Sequence, residues 1–358
     1  MISTVIIAAI QNKNRLFVGA TDKSTSAGSA KHLIYKWKPM WYGFFSFLRG
    51  WEGPMSEREQ LKTYGALVAT TVFWGLSFVA TKVALETIPT FTLIFARFML
   101  AFLFFAAIMI RHGVPSFTPK DHLKLFLMAI FEPGLYFLCE TQGLLYTSAA
   151  KVSLIIATVP ITVMILSAII LKERTNRLGI IGILLSLVGI AILIIGAPDF
   201  KRGLGGSLKG DLLVFGAVLS AAFYIVSARN LGRRYSSRAI TSMQCFYGAL
   251  FFAPALFLDI PTLAWAAISP RSLVALLYLV VFATVAAFFF YNYALTKIPA
   301  SRASIFINGI PVVTALGAWV ILGERLTPLQ LVGGTLVLSA VFITNLMNRN
   351  RAALSTNP

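Results

Sequence analysis

The sequence predicts an all-α polytopic membrane protein: ten transmembrane helices arranged as two inverted five-helix repeats. Three observations carry that prediction. The chain is 58% apolar and 12% charged, and its apolar residues fall in repeated runs of about 20, the length a helix needs to cross a bilayer. One stretch, Ala149–Glu173 (AAKVSLIIATVPITVMILSAIILKE), recurs at Ala300–Glu324 (ASRASIFINGIPVVTALGAWVILGE), at an offset of 151 residues. Both copies carry a base (Lys151, Arg302), a serine (Ser153, Ser304), a mid-run proline (Pro160, Pro311) and a closing Glu-Arg. The register continues to Leu178 and Gly182, matched by Leu329 and Gly333, as a duplicated module requires. Finally, the bases gather in alternate loops.

That third observation disposes of one reading of the net charge of +18. A basic chain can be a nucleic-acid binder, but here the charge follows the positive-inside rule. With the first span starting inside, the inner segments hold Arg111, Lys120, Lys124, Lys172, Arg174, Arg177, Arg229, Arg233, Arg234 and Arg238. With Arg58, Lys62, Lys297, Arg302, Arg349 and Arg351 the inner count is 16; the outer segments are poorer, with Lys82, Lys151, Lys201, Arg202, Lys209, Arg271 and Arg325. An even number of spans then places both termini in the cytoplasm. Five spans per repeat is odd, so the second repeat enters the membrane in the opposite sense, an architecture used by many secondary transporters.

The chain divides into an extension (1–54), a first repeat (64–196), a second repeat (211–346) and a cytoplasmic tail (347–358). The predicted spans are 64–85, 91–110, 124–146, 149–171, 178–196, 211–230, 240–258, 273–295, 301–322 and 328–346. The extension differs from the rest: a short apolar run, Ile2–Ile10, precedes a basic and aromatic stretch (Trp37, Trp41, Tyr42, Phe44). It lacks a basic segment before the run and is too short to span, so a signal peptide is a poor reading. The expectation is a start at Met55 and a misplaced gene boundary; the alternative is a segment lying on the inner leaflet.

Span 1 carries Thr70, Trp74, Ser77 and Thr81 at helical spacing, one polar stripe facing the bundle. Hydroxyls of this kind also bond back to their own helix; the stripe as a whole marks a cavity wall. Span 2 holds Arg97 and span 3 holds Glu132 and Glu140, with Tyr136, Gly143 and Thr147 on the Glu140 face. Arg97 and Glu140 both lie ~9 Å below the outer surface at 1.5 Å per residue, so the two are expected to pair or to gate. Pro133-Gly134 loosens span 3 beside Glu132. In spans 4 and 9, Pro160 and Pro311 each free a carbonyl one turn earlier and kink the helix. Ser153 in span 4, and Ser304 and Asn308 in span 9, share the proline faces, which suits a central pathway. Spans 5 and 10 are packing helices, since Gly182 and Gly189, or Gly333 and Ala340, permit close approach. The glycine-rich stretch 197–210 lacks the phosphate-binding pattern and is a linker. Span 8 ends on Tyr291-Asn292, which stand where the first repeat has Glu140-Thr141, so the halves differ most at the expected site.

These features resemble the EamA-type family of the drug/metabolite transporter superfamily. The resemblance rests on Phe73-Trp74-Gly75, Leu144–Ala150 leading to Pro160, and Lys172-Glu173-Arg174. In the second half it rests on Gly210-Asp211, Asn292–Leu295, Ile298–Ser301, Asn308–Pro311 and Leu322–Arg325. It covers residues 60–346. It implies a multi-pass carrier of the cell (inner) membrane, often an exporter of amino acids, related metabolites or drugs, working by alternating access. It implies a small-molecule substrate, no cofactor, and a functional monomer, because the duplication supplies the partner that small four-helix relatives find in a second chain. Glu140 resembles an acid found in part of the family; Glu132 falls outside its pattern. The expected substrate-binding residues are therefore Trp74, Ser77, Thr81, Tyr136, Glu140, Ser153, Tyr291, Asn292, Ser304 and Asn308.

The competing classes lack residues. His32, His112 and His122 all lie outside the spans and no HExxH or paired-aspartate pattern occurs, so a metal-dependent intramembrane enzyme has no ligand set. A nucleotide-binding motif is missing too. Cys139 and Cys245 both fall within spans, with no disulfide or redox role. A channel or lipid scramblase on the same fold is the alternative that the residues leave open.

Overall fold

A computed structural model describes residues 56–113, 116–146, 152, 155–173, 177–196, 208–259, 267–322 and 327–340. The 1–54 extension, the 347–358 tail, most of the 197–210 linker, Ser153 and Glu324-Arg325 lie outside the described residues. Among the described residues all regular structure is helical. In chain order the helices are α1 (Glu57–Ala84), α2 (Thr90–His112), α3 (Pro119–Ala129), α4 (Tyr136–Tyr146), α5 (Val159–Ile170), α6 (Arg177–Ile195) and α7 (Leu208–Leu231). They continue with α8 (Ser237–Phe252), α9 (Pro270–Tyr278), α10 (Ala287–Lys297), α11 (Ala300–Ser304) and α12 (Ile310–Leu322), and end with α13 (Pro328–Ala340).

Among the described residues, six stretches are long and apolar enough to cross a membrane, two of them being α3 to α4 and α9 to α10 taken whole. The helices α5, α13 and the apolar part of α6 are shorter. Their outward faces are oily: Ile110, Ile169 and Val320 are 70% exposed or more, which a lipid solvent explains and water does not.

Helix starts follow from local chemistry. Ser56 accepts from Glu59 N at the head of α1, Thr118 from Asp121 N at α3, Ser236 from Ala239 N at α8 and Ser269 from Ser272 N at α9; each satisfies an orphan N–H of the first turn. Pro119 and Pro270 follow their caps, where a missing N–H costs nothing. Pro160 and Pro311 also occupy first turns, at the heads of α5 and α12. The helix break that each proline predicts therefore lies just before it, and the chain ahead of Pro311 winds as a tight 3-10 segment, Ile305–Gly309.

Two loose π turns interrupt the chain, Ile130–Leu135 between α3 and α4 and Leu279–Ala286 between α9 and α10. At an offset of 151 residues the first falls within the second and ends at the same position. Inside the first, Glu132 adopts extended backbone (φ −145°, ψ 113°).

The helices of one half pack on those of the other, and each pairing has its counterpart with the halves exchanged. Helix α1 packs on α9–α10 and α12, while α7 packs on α3–α4 and α5; α2 packs on α8. Polar contacts give the directions. Ser272 Oγ donates to Val83 O near the end of α1 (3.0 Å), and Lys297 meets Glu59 at its start (3.1 Å), so α1 and α9–α10 run antiparallel. Likewise Lys209 at the start of α7 meets Tyr146 at the end of α4 (3.1 Å), while Asp121 at the start of α3 meets Tyr235 just beyond α7 (2.7 Å). Helices α6 and α13 touch through glycine: a Cβ on Gly189 would stand 2.9 Å from Val337 N and 3.0 Å from Gly333 O. Backbone cannot move aside as a side chain can, so this approach requires glycine there.

Candidate functional site

A cavity of about 40 Å³ lies between the halves. One water needs roughly 10–15 Å³ in this measure, so the space holds a few waters. Its polar lining is Arg97 (α2), Glu132 (first π turn), Tyr136 and Glu140 (α4), Ser77 (α1) and Tyr224 (α7); its aromatic lining includes Trp74, Phe137 and Phe288.

Arg97 is buried and held from two sides. Its Nε donates to Thr284 Oγ1, and its guanidinium lies 4.5 Å from the Phe137 ring centre, a cation–π distance. Thr284 in turn donates to Leu279 O (2.8 Å), a carbonyl within the second π turn. The matching residue in the other half is Gln244, 147 positions after Arg97 in the aligned span. Gln244 Nε2 donates to Glu132 O in the first π turn at 3.3 Å. Each half thus sends one long polar side chain into the π turn of the other. Only one of the two carries charge.

Glu140 is buried and accepts from Thr141 Oγ1 at 3.0 Å. It faces the same cavity as Arg97, but the two make no direct ion pair. The lining therefore holds two carboxylates and one guanidinium. Such groups in a span are costly to bury, which makes this cavity the candidate site.

The other expected residues distribute as follows. Trp74 and Ser77 line the cavity with their own polar atoms engaged: Trp74 Nε1 donates to Ala283 O (3.2 Å) and Ser77 Oγ to Trp74 O (2.7 Å). Thr81 is buried one turn further along α1, away from the lining. Tyr291 packs behind Trp74 with tilted rings 5.0 Å apart at their centres, and its buried hydroxyl has no hydrogen-bond partner among the described residues. Asn292 accepts from Tyr224 OH (2.8 Å) and donates to Thr241 Oγ1 (2.9 Å) and Gln244 Oε1 (3.1 Å), forming a network behind the cavity. Ser304 donates to Ser301 O (3.1 Å), and Asn308 Nδ2 donates to Ser186 Oγ of α6. These two residues secure helix joints and do not face the cavity.

Sequence reasoning passed over Tyr224, Phe288 and Thr284. A tyrosine inside the apolar span 6 was a usable signal for the first, since a buried hydroxyl needs a partner. Phe288 sits in a Phe-Phe-Phe run that reads as lipid-facing, and Thr284 in an apolar run reads as packing.

Two polar clamps close the ends of the helices near Glu59 and Asp121. Glu173 takes Arg229 Nε at 3.2 Å and Ala300 N at 3.0 Å, joining α5's end to α7 and to the head of α11. Asp121 accepts from Tyr235 OH (2.7 Å) and Thr118 Oγ1 (2.8 Å) and meets Lys124 (3.1 Å). Tyr235, in the loop beyond α7, holds its phenol above the usual range because it donates to that carboxylate.

Comparison with known proteins adds the family context. A model of the "EamA-like transporter family" matches twice, at residues 61–195 and 208–346. An uncharacterized transporter of Archaeoglobus fulgidus is 31% identical over 79% of this chain and 98% of its own length. The uncharacterized transporter YetK of Bacillus subtilis is 28% identical over 82% and 89%. A probable terminal-alkyne amino-acid exporter of Streptantibioticus cattleyicolor is 24% identical over 83% and 98%. One solved structure superposes with a TM-score of 0.67 over 83% of this chain and 99% of that one, at 17% identity; at that identity the likeness speaks for the fold.

Proposed function

The chain belongs to the EamA-like transporter family, and from that premise we propose that it is a secondary carrier exporting small amino-acid-like metabolites or drugs by alternating access. It is a multi-pass membrane transporter and not an enzyme. The observation that supports the carrier reading is the small cavity at the interface of duplicated halves, lined by Arg97, Glu132 and Glu140. A space too small for a metabolite must open to admit one, and the exchanged packing offers two equivalent ways to open. The amino-acid exporter among the relatives accords with a lining that presents both signs of charge.

The same proposal includes two inverted five-helix repeats (64–196 and 211–346) in the cell (inner) membrane, with both termini cytoplasmic and a functional monomer. The antiparallel course of α1 against α9–α10 supports the inversion: those are spans 1 and 8, whereas spans 1 and 3 of one repeat run the same way. Cysteine labelling should find 172 and 233 on the cytoplasmic side and 203 and 325 outside. Residues 174 and 325 on one side would end the inverted arrangement.

The transport reading is tested by counterflow in proteoliposomes loaded with a panel of amino acids and primary amines. A carrier concentrates labelled solute against an unlabelled internal pool. Flux that merely runs down a gradient, without exchange, would favour a channel.

A further inference from the structure

The class of solute can be narrowed on the strength of that carrier reading, and Glu132 is the residue that narrows it. Its extended backbone in the π turn takes its side chain off the line of the helix. It is 4% exposed and lines the cavity. Its backbone carbonyl accepts from Gln244, but its carboxylate has no hydrogen bond or ion pair among the described residues. A buried carboxylate without donors is strongly unfavourable unless a positive group meets it.

Of the protein's own charges, Arg97 acts on it through space, without a direct hydrogen bond or ion pair. Arg97 is committed to Thr284 and to the Phe137 face, and it shares the cavity with a second carboxylate, Glu140. One guanidinium against two carboxylates leaves a positive charge wanting. The rest of the wall suits a cation: the Phe288 ring meets Trp74 at 5.5 Å, Phe137 at 6.4 Å and Tyr224 at 6.0 Å. Aromatic faces beside a carboxylate are a favourable setting for an ammonium group, which brings one charge and three donors.

We infer that Glu132 forms an ammonium subsite, so that the carried solutes bear a protonated primary amine. The amine enters between Glu132 and the aromatic wall, with Glu140 and the Tyr136 hydroxyl within the same lining. Arg97 faces the acidic group of those solutes that have one. A solute with the amine alone binds; a solute with the carboxylate alone does not.

The test uses the full chain in nanodiscs and three ligands of like size: hexylamine, L-norleucine and hexanoate. Thermal unfolding midpoints measured across ligand concentration give apparent affinities. Hexylamine and norleucine should raise the midpoint and hexanoate should not. Glu132→Gln should weaken both amines at least tenfold. Glu132→Asp, which keeps the charge, should retain the order of preference and guards against a mere folding defect. Arg97→Gln should weaken norleucine and spare hexylamine. Wild-type binding of hexanoate in preference to hexylamine, or full hexylamine affinity in Glu132→Gln, overturns the inference; the latter would mean that a proton alone satisfies the carboxylate. Because the readout is binding, an intact counterflow with unaltered amine affinity in Glu132→Gln removes the subsite and leaves the carrier standing. Amine binding that depends on Glu132 without any counterflow does the reverse.

Discussion

The two halves share a scaffold and differ in chemistry. Helices α6 and α13, like α1 with α9–α10 and α7 with α3–α4, pack in pairs that survive exchange of the halves. At the cavity the correspondence fails in charge. Arg97 reaches into the second π turn where Gln244 reaches into the first, and Glu140 occupies the place that Tyr291 takes in the second half. On the proposed carrier reading, the symmetric contacts are a frame with two equivalent ways to open, and the lining charges, all from the first half, are what it binds with. Substitutions in the frame should therefore act on folding, and substitutions among the charges on transport.

The largest effect on the frame should come from Gly189→Leu. A side chain there meets backbone at 2.9–3.0 Å, and overpacking at a place that cannot yield costs about 3 kcal/mol or more. Yield of folded, monodisperse protein should collapse. Gly65→Ala, where a Cβ has open space, should leave it unchanged. Normal folding of Gly189→Leu would remove the close α6–α13 contact from the account.

Asp121→Ala should come next. It strips three partners from the carboxylate at the head of α3. The melting temperature should fall by a few degrees while counterflow per folded molecule stays within twofold. A transport loss out of proportion to the melting shift would place this clamp in the transport cycle.

The smallest effect uses the repeat itself. Lys172 has φ 55°, a left-handed conformation costly for side-chain-bearing residues, and the second copy places Gly323 at that position. Lys172→Gly should stabilise by about 0.5 kcal/mol, after the added freedom of the unfolded chain is subtracted. A melting temperature that falls would show that the lysine side chain contributes more than the strain costs.

Much of this was legible in the sequence. The matched depth of Arg97 and Glu140 brought both to one cavity, and the glycine spacing of spans 5 and 10 marked helices that touch. The role of Glu132 was not legible. Helical periodicity assigns faces at a constant angle per residue, and a π turn with an extended residue breaks that count at 130–135. Asn292 shows a second limit: a polar residue on an inward face can serve a buried network instead of a solute. Ser304 and Asn308 show the same at helix joints. Position on a face is a matter of spacing, whereas the partner of a hydroxyl or amide depends on helices far away in sequence.

The central claim is that charge in the first half, set in a symmetric frame, does the transport. Arg97→Gln tests it directly, because it makes the first half resemble the second, where Gln244 stands. Counterflow of Arg97→Gln, Glu140→Gln and the double variant should be compared, each normalised to folded protein. Glutamine keeps hydrogen-bonding capacity while removing charge and the titratable proton. The account predicts that both single variants fold and lose at least tenfold in exchange of amino acids, and that the double variant is no better. Were the two charges a static pair, each single variant would be unstable and the double would recover both stability and transport; that recovery would contradict the claim.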